Sequence, residues 1–337
     1  MTHTASRAAR GVPGEPPAAL PRRALRAAAP LFREIGDLKR VRTAGCAGSA
    51  AERSFLRAWA ALARGADPGE VAAAECAAAV AGARLAGVDG PVLRRCGLGE
   101  REAADVLRRS VEAHRARLEP RTLARLAEAL PGLVAEPPGP SGADGAPRFA
   151  RALCAQPRAG ATRPGRPRLM AEPAESHGDH CWATAVCAAL LADAFGADPA
   201  DVFLLGLAHH LHNAVLPDAG FAGEELLGEH LPGITARLTD RALAGLPAPL
   251  AARLTGLLDA REETARPVSR AFQAADVLDR VLQVRHHARA AAFTAEQALG
   301  EMRLVHDSPV ADFHHAVLAA AGTGEPGEPE RPGRESR

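Results

Sequence analysis

Apolar residues recur at three- and four-residue spacing along most of this chain, and this periodicity constrains the fold more than any other feature. Residues 22–38, RRALRAAAPLFREIGDL, and residues 180–196, HCWATAVCAALLADAFG, show the pattern clearly. Asp198 followed by Pro199 is typical of a helix start, because aspartate caps free backbone N–H groups and proline suits the first turn. We find no convincing alternation of the kind that marks β-strands. The sequence therefore predicts an all-α fold.

Stretches rich in proline and glycine divide the chain into parts. We predict a disordered tail over residues 1–20 and an N-terminal helical domain of unknown role over 21–135. A Pro/Gly-rich linker region over 136–167 contains one short helical piece, RFARALCA. A second helical domain over 168–321 and a disordered tail over 322–337 complete the predicted organisation.

The composition argues against several classes of function. A formal net charge of +1 gives no electrostatic basis for binding nucleic acid or an anionic membrane. No run of about 18 apolar residues is present, so we expect no membrane span. The six cysteines are scattered without a CxxC pair, which is typical of a reducing compartment rather than of a disulfide framework. We therefore expect a soluble, cytoplasmic protein.

Three segments of the second domain concentrate histidines and acids: ESHGDHCW, LAHHLHNAV and QAADVLDRV. The first contains His180. In the second, His209 and His212 share a helix face, and in the third Asp276 and Asp279 do so. Imidazole and carboxylate groups from separate helices are the ligands that a borderline divalent metal needs. Each of these residues taken singly is ordinary in a helical protein, but their combination predicts a metal site.

The order of a histidine, a histidine pair and an aspartate in AADVLD resembles the HD superfamily of metal-dependent phosphohydrolases. The resemblance is closest to its nucleotidase-like branch, which carries a glutamate-serine segment ending in an acid-histidine pair, here ESHGDH. It covers roughly residues 168–290 and implies an HD-type helical bundle, preceded here by the separate N-terminal helical block. By this resemblance His180, His209 and Asp276 are metal ligands.

The chain departs from the family pattern at two positions. His210 stands where the family has the aspartate of its histidine-aspartate doublet, and Asn213 stands where the branch has an acid that helps to activate water. If His210 binds, the site has three imidazoles and one carboxylate, which favours zinc, iron or manganese over magnesium. If His210 does not bind, the site is degenerate.

Further roles follow from the resemblance. Asp218 lies nine residues after His209, at a later acidic position of the branch, and Asp218 or His212 would accept a proton during hydrolysis. Arg270, with Arg237 and Arg241 as other candidates, would hold the phosphate. A two-metal arrangement would add His230 as a ligand.

The function most consistent with these residues is hydrolysis of a nucleotide or another small phosphate ester. The alternatives are a catalytically degenerate HD-fold module that binds a ligand or regulates a partner, and an HD-fold di-iron oxygenase. The N-terminal domain offers no motif, and its helices suggest packing, contact with a protein partner or oligomerisation. Its basic cluster of Lys39, Arg40 and Arg42 is interpreted as a solvated loop.

Overall fold

The computed structural model describes residues 19–135, 145–170, 172–288, 293–305 and 308–323. Most of both predicted tails and the first part of the predicted linker, residues 136–144, lie outside these residues. The described residues form α-helices joined by loops and short 3-10 turns, with two isolated β-bridges, Pro157 to Ser176 and Ala161 to Leu169, as their only β pairing. The predicted all-α fold is confirmed.

The helices of the first block are α1 (Arg22–Asp37), α2 (Ala50–Ala63), α3 (Pro68–Leu85), α4 (Gly90–Arg95), α5 (Glu100–Glu112) and α6 (Pro120–Ala129). They are followed by α7 (Arg148–Ala155), α8 (His177–Phe195), α9 (Pro199–Ala208), α10 (Gly220–Leu227), α11 (Leu231–Leu243), α12 (Ala248–Asp259), α13 (Pro267–His287) and α14 (Ala311–Ala320). Helix α7 coincides with the short helical piece predicted inside the linker.

Helix α8 lies at the centre of the molecule. It is buried along most of its length, as expected of a helix surrounded by other elements, and it packs against α2, α9 and α13. Ser176 and Asp179 form a reciprocal capping box at its start, and Gly196 ends it in the left-handed conformation. The position of α8 places its first turn, which carries His180, inside the protein.

Gly206 lets α9 approach α8 closely. A Cβ atom at this position would lie 2.4 Å from Cα of Ala185 and 2.6 Å from its backbone nitrogen, distances that real structures do not contain. The absence of a side chain therefore fixes the separation of the two helices. Helix α9 ends at Ala208 and His209 caps it, so this contact also sets how far the histidine pair lies from α8.

One continuous hydrophobic core joins the two predicted helical blocks. It includes Trp59 of α2 and Trp182 of α8, both fully buried. Polar contacts cross the same boundary: Arg125 and Thr122 of α6 both bind the carboxylate of Asp193 on α8. The N-terminal helices thus pack directly on the helix that carries His180, while the domain boundaries themselves remain a prediction.

Candidate metal site

The predicted metal ligands come from three helices that meet at the centre of the second block. His180 lies in the first turn of α8, and His209 is the residue that caps the end of α9, with His210 directly after it. Asp276 lies on α13, which packs against both of these helices. The fold therefore brings together residues that lie far apart in the sequence.

Three ligand atoms converge on one point. Nε2 of His180 lies 3.1 Å from Nε2 of His209 and 3.2 Å from Oδ1 of Asp276, and the remaining separation, between His209 and Asp276, is 3.9 Å. Atoms that share one divalent ion at about 2.1 Å lie roughly 3 to 3.5 Å apart. The measured separations are close to that spacing.

The hydrogen bonds of the outer ring nitrogens determine which nitrogen faces inward. Nδ1 of His180 lies 2.7 Å from Oδ2 of Asp279, and Nδ1 of His209 lies 2.8 Å from the carbonyl oxygen of Gly206. Because both partners are acceptors, each Nδ1 carries the proton, and in the neutral ring each Nε2 keeps its lone pair. Two lone pairs 3.1 Å apart repel each other unless a cation or a proton lies between them.

His210 is held in the same manner. Its Nδ1 donates to Oδ1 of Asn213 at 2.9 Å, and the amide nitrogen of Asn213 donates to the carbonyl oxygen of Leu216 at 3.1 Å. The second bond fixes the amide orientation, because only the nitrogen can donate to a carbonyl. His210, His209 and His180 each offer a nitrogen within 4.8 Å of the others. The three imidazoles form one candidate ligand group, and the carboxylate of Asp276 lies beside two of them, His180 and His209. This donor chemistry suits a divalent ion.

The charges of the site also suit a cation. Burial, reinforced by the neighbouring His180, lowers the pKa of His209 to about 3, and burial lowers that of His210 well below its usual range. Burial alone would raise the pKa of Asp276, but Arg280 and His180 outweigh it and hold the value well below the usual range. Neutral imidazoles thus surround one ionised carboxylate. Oδ2 of that carboxylate accepts a hydrogen bond from Arg280 at 2.9 Å, while Oδ1 faces the histidines.

A cavity of about 360 Å³ opens beside these residues. Its volume suits a small molecule. The residues that line it include three predicted metal ligands and the two predicted proton acceptors: His209, His210, Asp276, Asp218 and His212. The positive charge in its wall comes from Arg158, Arg261, Arg280 and Arg303. The cavity therefore joins a cation-binding centre to a wall that suits an anionic ligand.

The structure places the two predicted proton acceptors on the cavity wall. Asp218 accepts backbone hydrogen bonds from Ala159 at 2.9 Å and from Gly220 at 2.9 Å, which fix its carboxylate. The ring of His212 lies 5.8 Å from that of His210, and burial lowers the pKa of His212 to about 4. His212 is therefore a neutral imidazole at physiological pH.

Two further predicted residues lie away from the cavity. His230 is exposed on the 3-10 turn Gly228–His230, and it belongs to neither of the two metal-ligand groups found among the described residues. The guanidinium of Arg270 lies 5.6 Å from the ring centroid of Phe195 and donates to the carbonyl oxygen of Ala19. Arg270 is not among the residues that line this cavity.

The sequence did not single out Arg158, which lies within the predicted linker. Its side chain is only 19% exposed, and in the described part of the chain its Nη1 atom is buried without a hydrogen-bond partner. The loop that follows α7 returns along the segment before α8, where the backbone N–H of Arg158 donates to the carbonyl oxygen of Glu175. This pairing directs the side chain to the cavity. A single arginine in an irregular segment has no periodicity that could have marked it.

A second cluster lies directly behind His180. The carboxylates of Glu175 and Asp279 both contact Nζ of Lys39 at 2.6 Å. Lys39 is only 4% exposed, so its interpretation as part of a solvated loop was wrong. Its burial requires acids supplied by two segments far along the chain, which the local sequence of the basic cluster does not reveal.

The fold and the site define an all-α protein with a candidate histidine-carboxylate metal site between helices. Residues 152–312 match the model of the family described as HD domain, and this part of the chain belongs to the HD-domain superfamily. That superfamily is one of metal-dependent phosphohydrolases, and its members typically bind divalent metals. The match begins within α7 and so includes Arg158. Neither a curated protein nor a solved structure matches the chain significantly.

Among the helices that the structure describes, none is both long enough and apolar enough to span a membrane.

Proposed function

We propose that this chain hydrolyses a small phosphate ester, such as a nucleotide, with one divalent metal ion held by His180, His209, His210 and Asp276. The observation that carries the proposal is the convergence of His180, His209 and Asp276 beside a cavity with arginines in its wall. Three nitrogens and one oxygen favour zinc, iron or manganese over magnesium. When bound, such an ion polarises a phosphoryl oxygen and acidifies a coordinated water.

Arg158 is proposed to bind the phosphate. Burial would lower its pKa, but Glu175, Asp218 and nearby carboxylates outweigh it and raise the value, so the guanidinium stays charged. Its buried, unpartnered Nη1 atom is a hydrogen-bond donor that an anionic oxygen would satisfy. This residue replaces Arg270 in the proposed phosphate site, because Arg270 lies outside the cavity wall.

Asp218 is the better supported proton acceptor. Its carboxylate is fixed by two backbone N–H groups and still has lone pairs on the cavity side. His212 presents a neutral ring to the cavity, since burial lowers its pKa to about 4. We therefore propose that Asp218 accepts the proton of the attacking water and that His212 binds substrate through a neutral ring.

A catalytically degenerate binding module is the second candidate. The observation that favours it is the engagement of Asn213, whose amide binds His210 and the carbonyl of Leu216 and cannot accept a proton. A di-iron oxygenase has less support. It needs a second metal, but the only other ligand group among the described residues, Glu175 with His180 and Asp279, is bridged by the ammonium of Lys39.

A hydrolysis assay separates the two candidates. The wild-type protein, loaded in turn with Zn²⁺, Mn²⁺ and Fe²⁺, is incubated with a panel of nucleoside monophosphates and other phosphomonoesters, and released phosphate is measured. The proposal predicts turnover that Asp218→Asn lowers by about 100-fold or more, while the folded protein still binds the metal. Metal-loaded protein that binds a nucleotide without hydrolysing any ester would instead support the binding module.

A further inference from the structure

The chain contains a single lysine, Lys39, and it lies at the boundary between the two helical blocks. It lies two residues after the end of α1, and its side chain extends between the segment before α8 and the middle of α13. Burial would lower its pKa, but Asp279 and Glu175 outweigh it and raise the value above that of a free lysine. The buried amine is therefore a cation that the second block surrounds.

The two oxygens of Asp279 have different partners. Oδ1 accepts a hydrogen bond from Nζ of Lys39 at 2.6 Å, and Oδ2 accepts one from Nδ1 of His180 at 2.7 Å. The carboxylate is thus held at both ends in the protein interior. Because Oδ2 can only accept from His180, this bond determines which ring nitrogen of His180 faces His209 and Asp276.

Glu175 completes the cluster by accepting the second hydrogen bond of Lys39, also at 2.6 Å. Two buried carboxylates beside each other repel unless a cation separates them. Without the ammonium, Asp279 would lose the partner that fixes Oδ1, and the position of its bond to His180 would no longer be defined. The contacts of Lys39 thus reach His180 through a single intervening side chain.

We propose that Lys39 is a positioning residue of the metal site: from the N-terminal helical block it fixes Asp279, and through Asp279 it fixes the orientation and tautomer of His180. This inference rests on the proposed function, because it assigns His180 to a metal ion. It gives the N-terminal block a role in the site. The block supplies part of the shell that supports a ligand, in addition to packing against α8.

The test is the affinity of the full-length chain for Zn²⁺, measured by competition with a chromophoric chelator. Lys39→Met keeps the length of the side chain and removes its charge, and we expect a dissociation constant about 10- to 100-fold higher than that of the wild type. Lys39→Arg retains the charge and should recover most of the affinity. Glu75→Gln is the matched control, because it removes a buried charge from the ion pair with Arg57 within the N-terminal block. It should leave the dissociation constant unchanged.

The absorption spectrum of a cobalt-substituted sample reports the geometry of the ligands around the ion. A residue that only stabilises the fold would not change this spectrum. The visible absorption bands of bound Co²⁺ should change in Lys39→Met and remain those of the wild type in Glu75→Gln. If Lys39→Met does not fold, Glu175→Gln takes its place and should weaken zinc binding to a smaller extent. Zinc affinity and cobalt bands equal to those of the wild type in these variants would overturn the inference and leave the proposed function intact. A wild-type chain that binds no zinc, cobalt, iron or manganese would overturn both.

Discussion

Nδ1 of His210 donates a hydrogen bond to the side-chain oxygen of Asn213, at a distance of 2.9 Å. By the resemblance to the HD superfamily, these are the two positions predicted to depart from its pattern, and in the structure they contact each other. The histidine gains an acceptor that fixes its ring, and the asparagine supplies that acceptor while its nitrogen binds Leu216. The two departures are therefore coupled, which supports the proposal that His210 is a working ligand.

Breaking this pair should weaken metal binding without removing it. Asn213→Leu keeps the approximate volume but deletes the acceptor, and we expect the dissociation constant for Zn²⁺ to rise about 10-fold or more. His210→Asp restores the aspartate of the superfamily, and beside Asn213 it should shift the preference from zinc toward manganese. Both effects are measured by chelator competition with the two metals. An unchanged zinc affinity in Asn213→Leu would show that the hydrogen bond does not support a ligand.

Arg158 should act on substrate binding. Replacing it with lysine keeps a positive charge but removes the planar pair of donors, so we expect KM for a phosphomonoester to rise about 10-fold or more. Metal content should stay at the wild-type level, because Arg158 contributes no ligand atom. Arg270→Lys is the comparison variant, since Arg270 lies beside Phe195 and away from the cavity. A larger rise of KM in Arg270→Lys than in Arg158→Lys would reverse the assignment of the phosphate site.

Gly206 should be intolerant of a side chain. In Gly206→Ala the new Cβ would overlap the backbone of Ala185, so α8 and α9 must separate, and we expect a loss of about 1–3 kcal/mol in the free energy of unfolding. Gly256 lies within α12, where a Cβ atom would meet nothing within 4 Å, so Gly256→Ala is the control. That variant should be neutral or stabilised by about 1 kcal/mol. Urea denaturation measures the free energy of unfolding of both variants. Equal values would contradict the close contact between Gly206 and Ala185.

The packing of α6 on α8 makes a pH-dependent contribution to stability. Burial raises the pKa of Asp193, but hydrogen bonds from Arg125 and Thr122 outweigh it and lower the value below that of a free aspartate. A lowered folded-state pKa means that the ionised carboxylate stabilises the fold at pH values above about 4, the unfolded value. This stability is lost as the pH falls through the folded-state pKa.

Asp193→Asn should therefore destabilise the protein by about 1–2 kcal/mol at pH 7. The difference from the wild type should shrink progressively below about pH 4, where the unfolded aspartate becomes protonated. Denaturant unfolding curves of the variant and the wild type, recorded from pH 3 to pH 7, measure this difference in the free energy of unfolding. A difference that is constant across this range would show that the charge of Asp193 does not stabilise the packing of α6 on α8.

The sequence predicted the helices well, because helices depend on local patterns of apolar residues. The order of His180, His209 and Asp276 predicts one shared metal site, and the fold brings their ligand atoms close together, but metal binding itself stays a prediction. Arg158 and Lys39 could not be predicted in the same way. Each acquires its role from contacts with segments far along the chain, Lys39 with Asp279 and Arg158 with the segment before α8, and pairing of this kind leaves no mark on the neighbouring residues.

The metal content of the purified chain tests the central claim most directly. Wild-type protein reconstituted with Zn²⁺, Mn²⁺ or Fe²⁺ and passed over a desalting column is analysed by inductively coupled plasma mass spectrometry. We expect about one ion per chain in the wild type and in Gly256→Ala. In the double variant His180→Ala, Asp276→Ala, which removes two converging ligands, we expect almost none. A wild-type chain that retains no metal, or a double variant that retains as much as the wild type, would contradict the assignment of these residues as a metal site.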